Sequence, residues 1–394
     1  MVKNILKTIG MLIGVVLLAI CVLLAWLSFN EYKPAPEEPL EVVSNIDGEP
    51  TKARDLSVNE SISILSWNMG YGALGDNADF FMDGGESVMT ADLTRVNANT
   101  MAVIEYLKSQ NPDVVFLQEA DQDSKRSQHV DEVAKIRKAL NKKYQSTFAN
   151  NYKVSYVPYP VPTLGKVDSG LLTLSKFKVS GATRVSLPCP FSWPVRTMNL
   201  KRCLMVDRIP LLAEGSPQEL VLINLHLEAY DSGEGKIAQT KALRKVLEEE
   251  YAKGNYVIAG GDFNQTFSNV NHSLYPVLEG KWEPGKLKAK PFKKNWALLM
   301  DPTAPTCRSL DRPLEGLTPD EKDPTEFQYY MIDGFIVSKN LEIQQIKHRI
   351  SGSSSRTTIL CFCRYESYRN GTVRYSALPK RYDTSYVTKY NAAL

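Results

Sequence analysis

The chain has 394 residues, a length sufficient for one large folded domain or two ordinary ones. Of these residues, 43% are hydrophobic and 23% are charged, as in a folded protein. The formal net charge is +3, but eight Lys or Arg and only two Asp or Glu follow residue 348, so residues 1–348 are mildly acidic. This balance excludes the strongly basic body of a tight nucleic-acid binder.

The six cysteines do not form a zinc-binding pattern. Cys361 and Cys363 are separated by one residue and have no matching second pair. Cys189 and Cys203 could form a disulfide in an oxidising compartment, or remain single buried thiols. The sequence leaves both alternatives open.

Residues 9–29 are predominantly apolar and long enough to span a bilayer as a helix, which takes about 20 residues. Lys3 and Lys7 precede this run, so we expect the amino end to stay in the cytoplasm and the rest to be exported. A cleaved signal peptide is the main alternative. The length of the run and the lack of a prompt Ala-x-Ala site favour an uncleaved anchor.

The anchor, residues 1–30, is followed by a polar, proline-containing segment over residues 31–60. Such a composition is typical of a linker. We expect it to hold the body of the protein away from the membrane.

Several apolar segments of the body have the pattern of strands. We predict strands within SISILSWN (61–68), VVFLQEAD (114–121), LVLINLHLEAY (220–230), YVIAGGDFNQ (256–265) and YMIDGFIVS (330–338). Helical periodicity predicts amphipathic helices over residues 93–110 and 235–251.

Four of these strands end in, or carry, oxygen-bearing side chains: Asn68, Glu119, Asp262 with Asn264, and Asp333. Each alone has an ordinary explanation as a turn former, a surface charge or a helix cap. If the strand ends meet in one cleft, they supply the oxygen ligands that Mg²⁺ requires. His226 is either structural or, beside such an acidic cluster, a histidine whose pKa is tuned near neutral.

The motifs SWNMG, LQEAD, NLHLEA, GGDFNQ and IDGFIVS occur in the order typical of the endonuclease/exonuclease/phosphatase superfamily. The chain resembles this family over about residues 61–340. The family includes deoxyribonuclease I-like nucleases, neutral sphingomyelinases and inositol polyphosphate 5-phosphatases. The resemblance implies an α/β fold with a two-sheet β-sandwich core, helices outside and a cleft at one end of the sheets.

The resemblance also implies Mg²⁺- or Mn²⁺-dependent phosphoester hydrolysis and a role for each polar residue. Asn68 and Glu119 match metal-site residues. Asp262 matches the group that orients or activates the attacking water, and Asn264 matches the donor that stabilises the phosphoryl oxygens. His226 matches a histidine near the scissile phosphate.

One family motif, Ser-Asp-His-x-Pro-Val, is missing. Asp333 matches a carboxylate that supports a partner histidine, and the missing motif is expected soon after its strand. The chain there reads SGSSSRTTILCFCRYE (351–366), and the nearby His348 has no Asp beside it. Without the Asp-His pair we expect weak or no activity, and loss or mispairing of the last strand of one sheet, leaving an exposed edge.

A shift of one base restores the missing motif with permitted codons. The codons TCT-CGG-ACC-ACA-ATC-CTG-TGT for residues 355–361, read from their third base, give Ser-Asp-His-Asn-Pro-Val. Permitted codons for the residues up to Glu366 then give Phe-Leu-Gln-Val and a stop. Residues 349–394 are therefore either an out-of-frame tail or a divergent basic tail.

We expect residues 61–348 to form the catalytic domain of a monomeric, single-pass, extracytoplasmic phosphodiesterase or nuclease. Its substrate would be a nucleic acid or a phospholipid headgroup. A lipid or inositol phosphate phosphatase is one alternative, and a catalytically inactive binding module is another. The basic residues Lys125, Arg126, Arg196, Lys201 and Arg202 could hold a phosphate or be solvated.

Overall fold

A computed structural model describes residues 2–212, 217–271, 273, 275–314, 327–350 and 357–364, with the backbone alone for 348–350 and 357–364. The helices within these residues are α1 (Val2–Phe29), α2 (Leu93–Gln110), α3 (Glu132–Leu140) and α4 (Glu234–Ala252). The strands are β1 (Glu37–Pro39), β2 (Asn45–Ile46), β3 (Glu49–Pro50), β4 (Leu56–Ser57), β5 (Ser61–Asn68), β6 (Val114–Asp121), β7 (Gln145–Val157), β8 (Gly165–Ser175), β9 (Gly181–Ser186), β10 (Cys203–Leu212), β11 (Glu219–His226), β12 (Tyr256–Asp262), β13 (Gln265–Phe267), β14 (Gly285–Leu287), β15 (Trp296–Leu299), β16 (Cys307–Arg308), β17 (Tyr329–Tyr330), β18 (Asp333–Ser338), β19 (Glu342–Ile350) and β20 (Thr357–Arg364).

Two large sheets enclose the central core. One has the order β1-β9-β10-β11-β12-β18-β15 with β4 beside β10, and the other has the order β19-β20-β5-β6-β8-β7. Alternate residues of their strands point inward and pack together, including Ile64, Phe116, Leu222, Ile258 and Phe335. The predicted two-sheet sandwich is therefore confirmed.

The helices cover the outer faces of both sheets. Leu243 and Leu247 of α4 pack on the first sheet, while α2 and α3 pack on the second through residues such as Val103 and Ile136. Both faces of the central strands are thus buried, which explains why their sequences read as continuous apolar runs.

The predicted elements agree with the structure. Strands β5 and β6 and helix α2 have the predicted bounds, and α4 differs by one residue at each end. The predicted segments 256–265 and 330–338 contain β12 and β18, and the segment 220–230 contains all of β11 except its first residue, Glu219. The hydrophobic periodicity of the sequence predicts these helices and strands correctly, because each element has one or two well-defined buried faces.

Residues 31–60 are not a free linker. β1 pairs with β9, β4 runs parallel to β10, and Val43 forms a bridge with Ser146. Backbone groups of this segment bond to strands of the body, so the segment is part of the fold, and its role as a spacer from a membrane stays a prediction.

Helix α1 is long and apolar enough to cross a membrane by length and composition, and none of its apolar window is buried. Leu27, in its last turn, is its buried residue. Among the residues that the structure describes, those in the last turns of the helix therefore make its contact with the domain.

Strand β20 lies within the tail that was expected to lack its strand. It pairs antiparallel with β5 on one side and β19 on the other. The expectation of an exposed edge is wrong for these residues, since backbone pairing needs N–H and C=O groups rather than particular side chains. Residues 351–356 and 365–394 lie outside the described residues.

Cys189 and Cys203 are free thiols in the structure. Their sulfur atoms face different carbonyl oxygens, those of Leu200 and Asn150. Of the two alternatives for this pair, the structure has single thiols, and only that of Cys203 is buried.

Asp207 is a buried carboxyl group on the inner face of β10, beside Met205 and Ile209. Burial raises the pKa of Asp207 to about 7, and the hydroxyls of Thr147 and Thr173 offset only part of that shift. Because the folded pKa lies above the unfolded one, the stability from this group is complete below about pH 4 and is lost as the pH rises through 7.

We expect Asp207→Asn to remove this pH dependence. Between pH 4 and pH 8, the parent should lose up to about 4 kcal/mol of unfolding free energy through this group, and the variant should not. Thermal unfolding of the full chain in detergent across this pH range measures it. Asp47→Asn is the control, since its side chain is 69% exposed. Equal pH profiles for Asp207→Asn and the parent would contradict the prediction.

Candidate active site

The ends of five strands meet at one end of the sandwich. The parallel register of β11 and β12 sets His226 opposite Asp262, and the antiparallel register of β12 and β18 sets Asp333 opposite the same residue. Asn68 ends β5 beside Gln118 of β6. One cavity is lined by all six predicted site residues: Asn68, Glu119, His226, Asp262, Asn264 and Asp333.

The Asn68 amide joins the two sheets at this cavity. Its Nδ2 donates to Glu119 Oε1 at 2.9 Å, within its own sheet, and to Asp262 Oδ2 at 3.0 Å, in the facing sheet. Its Oδ1 accepts from the Gly70 backbone N–H at 3.1 Å. The amide group is thus held from three sides.

A second polar link lies beneath the first. Gln118 Nε2 donates to Asn224 Oδ1 at 2.8 Å, and Asn224 Nδ2 donates to the Leu117 carbonyl at 3.2 Å. Gln118 and Asn224 are both fully buried. Sequence reasoning missed this link, although a polar residue at an inward-facing position of an apolar strand was the signal that could have found it.

Asp262 uses its two oxygens differently. Oδ1 accepts from the Asn264 backbone N–H at 2.9 Å, while Oδ2 lies 3.7 Å from His226 Nε2 as well as beside Asn68. The Asn264 side chain donates to the Leu227 carbonyl at 2.8 Å. The aspartate therefore connects the histidine, both asparagines and the two sheets.

Special backbone conformations aim these side chains. Glu119 has a φ of +53° at a bulge between β6 and β8, and Asn264 has a φ of +49°. Such left-handed residues cost about 1–3 kcal/mol each and concentrate at functional sites. The bulge breaks the strand alternation at Glu119.

The sequence pattern of the Endonuclease/Exonuclease/phosphatase family matches residues 65–354, well over half of the chain. The chain belongs to the endonuclease/exonuclease/phosphatase family. Members of this family are typically metal-dependent phosphoesterases and nucleases. No curated protein sequence matches the chain significantly.

One solved structure supports the fold, and others are similar to a lesser degree. An endonuclease/exonuclease/phosphatase from Beutenbergia cavernae aligns with a TM-score of 0.51 at 17% identity, covering 77% of this chain and 72% of that one. Truncated TDP2 from Caenorhabditis elegans aligns with a TM-score of 0.46 at 18% sequence identity, and the alignment covers 79% of this chain and 100% of that one. The human Nocturnin catalytic domain with bound sulfate aligns with a TM-score of 0.45 at 16% sequence identity, and the alignment covers 79% of this chain and 96% of that one.

The residues around Asn68 fit a hard divalent cation. The carboxylates of Glu119 and Asp262 converge on the side-chain amide of Asn68. A flip of that amide would exchange its nitrogen and oxygen and so present the oxygen to a cation at this place. Among the described residues no three His, Cys, Asp or Glu form a metal-holding group. Mg²⁺ takes one or two carboxylates and keeps several waters, so Glu119 and Asn68 are the residues that would hold it.

The whole cavity has a volume of about 390 Å³, and away from these polar residues its walls are mainly apolar. Phe80, Phe81 and Met82, from the long loop after β5, line it. Asp83 fixes that loop by accepting from Tyr230 Oη and from the Leu310 N–H, each at 3.0 Å. Burial and the nearby Asp83 carboxylate raise the pKa of Tyr230.

The cations of the cavity wall are paired with carboxylates. Arg126 makes two hydrogen bonds to Asp121, at 2.9 and 3.1 Å, and stacks on Tyr71. Arg202 donates to Glu228 at 3.2 Å and to the His226 carbonyl. The expected phosphate-binding or solvated roles do not fit these two residues.

The remaining basic candidates are also engaged. Lys125 Nζ donates to the Thr163 carbonyl at 2.7 Å, and both Lys201 and Arg196 pair with Glu31. These side chains are bound within the fold rather than directed at the cavity.

The position of the missing motif can be stated from the backbone register. Ile359 of β20 pairs with Ser66 of β5, and continuing this register by two residues sets Thr357 opposite Asn68. The start of β20 therefore reaches the cavity. The side chain of His348 and residues 351–356 lie outside the described residues.

Gly261 lets β12 approach β11 closely. A Cβ there would overlap the Leu225 carbonyl oxygen, and the φ of +144° suits glycine alone. We expect Gly261→Ala to displace Asp262, to destabilise the fold by more than about 1 kcal/mol and to weaken binding of Mg²⁺. Calorimetric unfolding and metal titration measure the two effects.

Gly181→Ala is the matched control, because Gly181 also lies in a strand of the same sheet but has open space at its Cβ. It should leave both quantities unchanged. A Gly261→Ala protein as stable as the control variant would contradict the proposed close approach.

Proposed function

We propose that this chain is built as a metal-dependent phosphodiesterase, with an activity that depends on the Asp-His pair its tail lacks. The observation that carries the proposal is the Asn68 amide shared by Glu119 and Asp262, with His226 beside them. This arrangement combines a hard-metal site, a base and a proton donor within one cavity.

The chain's own residues divide the work. Asp262 Oδ2 accepts a hydrogen bond from the attacking water and orients it for in-line attack. His226 donates to the phosphate, and the second N–H of Asn264 donates to a phosphoryl oxygen. A bound divalent cation would supply neutralisation of a non-bridging oxygen and stabilisation of the leaving group.

We propose α1 as an uncleaved anchor, with the domain on the extracytoplasmic side. The uncharged apolar run of residues 9–29 within α1, and Lys3 and Lys7 in its first turns, support this orientation.

A catalytically inactive binding module is the second candidate. The missing Ser-Asp-His run favours it, because by the family resemblance that run supplies the histidine that Asp333 supports. A lipid or inositol phosphate phosphatase would use the same cavity for a monoester.

Sequencing the gene tests the tail directly. The frame-shift hypothesis requires codons for residues 355–358 that encode Ser-Asp-His when read from their third base. We expect the frame-restored chain to hydrolyse bis(p-nitrophenyl) phosphate about 10²–10⁴-fold faster than the chain as written, with both losing activity in excess EDTA.

The control is the frame-restored chain carrying His226→Ala, which should lose most of the gain. Equal rates for the restored and original chains would show that the Asp-His pair is dispensable. Undiminished hydrolysis in EDTA would overturn the metal-dependent mechanism.

Glu119→Gln tests the metal site separately from catalysis. It removes one carboxylate charge at constant shape, so we expect affinity for Mg²⁺ or Mn²⁺ to fall at least about tenfold by calorimetric titration. Glu105→Gln is the control, because Glu105 is an exposed residue paired with Lys108. Similar affinities for both variants would place the cation elsewhere.

A further inference from the structure

The carboxyl end of α1 is fastened to the domain at one short segment, residues 188–200. Leu27 is buried there, and Trp193 Nε1 donates to Ser28 Oγ at 2.9 Å. Within the described residues, the rest of the helix makes no comparable bond to the domain. The anchor therefore emerges beside Trp193.

The residues after α1 hold this junction in place. The Glu31 side chain, only 5% exposed, pairs with Lys201 at 3.0 Å and with Arg196 at 3.5 Å. Ser186 then binds the Ala35 carbonyl at 2.7 Å before β1 joins the sheet. Little slack remains between anchor and domain, so a membrane around α1 must lie close to residues 188–200.

The same segment forms one wall of the catalytic cavity. Phe191, Val195, Met198 and Leu200 line the cavity that also contains Asn68. Met198 packs in a cluster with Phe81, Val157 and Leu164, so this end of the cavity is apolar. The oxygen-rich group around Asn68 makes the other end polar.

Large apolar side chains are exposed around this wall. Trp193, Val195, Tyr159 and Met82 are each exposed by 41–53%, and Val161, on the turn after β7, by 91%. Of these, Val195, Tyr159 and Met82 also line the cavity. Aromatic and apolar side chains clustered at one face are typical of a membrane interface.

We propose that the cavity opens at the surface of the membrane that α1 crosses and admits a phospholipid from that membrane. The phosphodiester would lie at Asn68 and Asp262, and an acyl chain would follow Phe81, Met198 and Val195 towards the bilayer. This inference rests on the proposed phosphodiesterase function and names its substrate class. The products of hydrolysis would be a lipid fragment that stays in the membrane and a polar fragment that leaves.

The charges of the cavity argue against a nucleic acid in the same place. Binding of a polyanion depends on cations that neutralise its phosphates. Arg126 and Arg202 of the cavity wall are already paired with Asp121 and Glu228. A single lipid phosphodiester needs far less positive charge, which one divalent ion can provide.

The test uses the full chain reconstituted in phosphatidylcholine vesicles that contain a trace of phosphatidylcholine with a diazirine in one acyl chain. After irradiation, peptide mapping should find the label in residues 188–200 and 80–82 as well as in α1. Because Val195→Asp places a charge on the apolar wall that an acyl chain would contact, it should reduce the label in residues 188–200 about tenfold or more.

Ile237→Asp is the matched control. Ile237 is an apolar residue of α4, 71% exposed, that does not line the cavity, so this variant should label like the parent. Labelling of α1 serves as the internal reference for correct insertion.

Labelling confined to α1 would overturn the proposal, as would equal labelling of the Val195→Asp variant and the parent. Competition by single-stranded oligonucleotide would indicate a nucleic-acid substrate instead. The labelling needs no turnover. Hydrolysis of bis(p-nitrophenyl) phosphate without cavity labelling therefore rejects only the lipid inference, and labelling without any hydrolysis by the frame-restored chain rejects the catalytic function.

Discussion

The Asn68 amide, shared by a carboxylate from each sheet, is the interaction on which the site depends. Apolar packing between two sheets stabilises their association but is tolerant of small sliding movements, since it is not directional. Hydrogen bonds of 2.9 and 3.0 Å from Asn68 Nδ2 to Glu119 and Asp262 are directional. Together with the buried Gln118–Asn224 bond, they fix how the sheets are offset at the cavity. A misplacement of about 1 Å at a catalytic site can cost 10²-fold in rate, so this alignment matters for chemistry.

That alignment has a cost in local stability. Glu119 and Asn264 adopt left-handed backbone conformations, and Glu119 and Asp262 bring two carboxylates towards one amide. Neither arrangement is favourable alone. Both become useful if a divalent cation and a phosphate occupy the cavity, because the cation offsets the converging charges. The strained positions therefore coincide with the residues to which the family resemblance assigns a metal and a reacting phosphate.

Much of this could be predicted from sequence because the informative segments are local. The strand ending at Asn68 and the strand containing Glu119 are buried on both faces, so their apolar runs are distinctive. The order of motifs then identified the family and the six site residues that share the cavity. The partners of charged residues could not be predicted, since Arg202 and Glu228, or Glu31 and Lys201, meet only through tertiary structure.

Residues 31–60 were misjudged for the same reason. Their polar, proline-containing composition describes side chains, whereas their structure depends on backbone pairing with edge strands far along the sequence. The pairing of residues 31–60 with the sheet bears on where the cavity lies. A free linker would leave the cavity at any distance from the membrane, whereas the fastened segment sets the apolar wall of the cavity beside the anchor.

The position of strand β20 in the sheet is compatible with either reading frame of the tail. Its backbone fills the position between β19 and β5. Backbone pairing of this kind is compatible with many side chains, so the sequence TTILCFCR and the alternative-frame sequence ending in Pro-Val-Phe-Leu-Gln-Val can occupy the same place. Occupancy of the strand position therefore does not discriminate between the two frames. The difference lies at the start of β20, where the register reaches Asn68: there one frame supplies Arg-Thr-Thr and the other Ser-Asp-His. The fold can tolerate either sequence, but only the second offers a carboxylate and an imidazole to a phosphate.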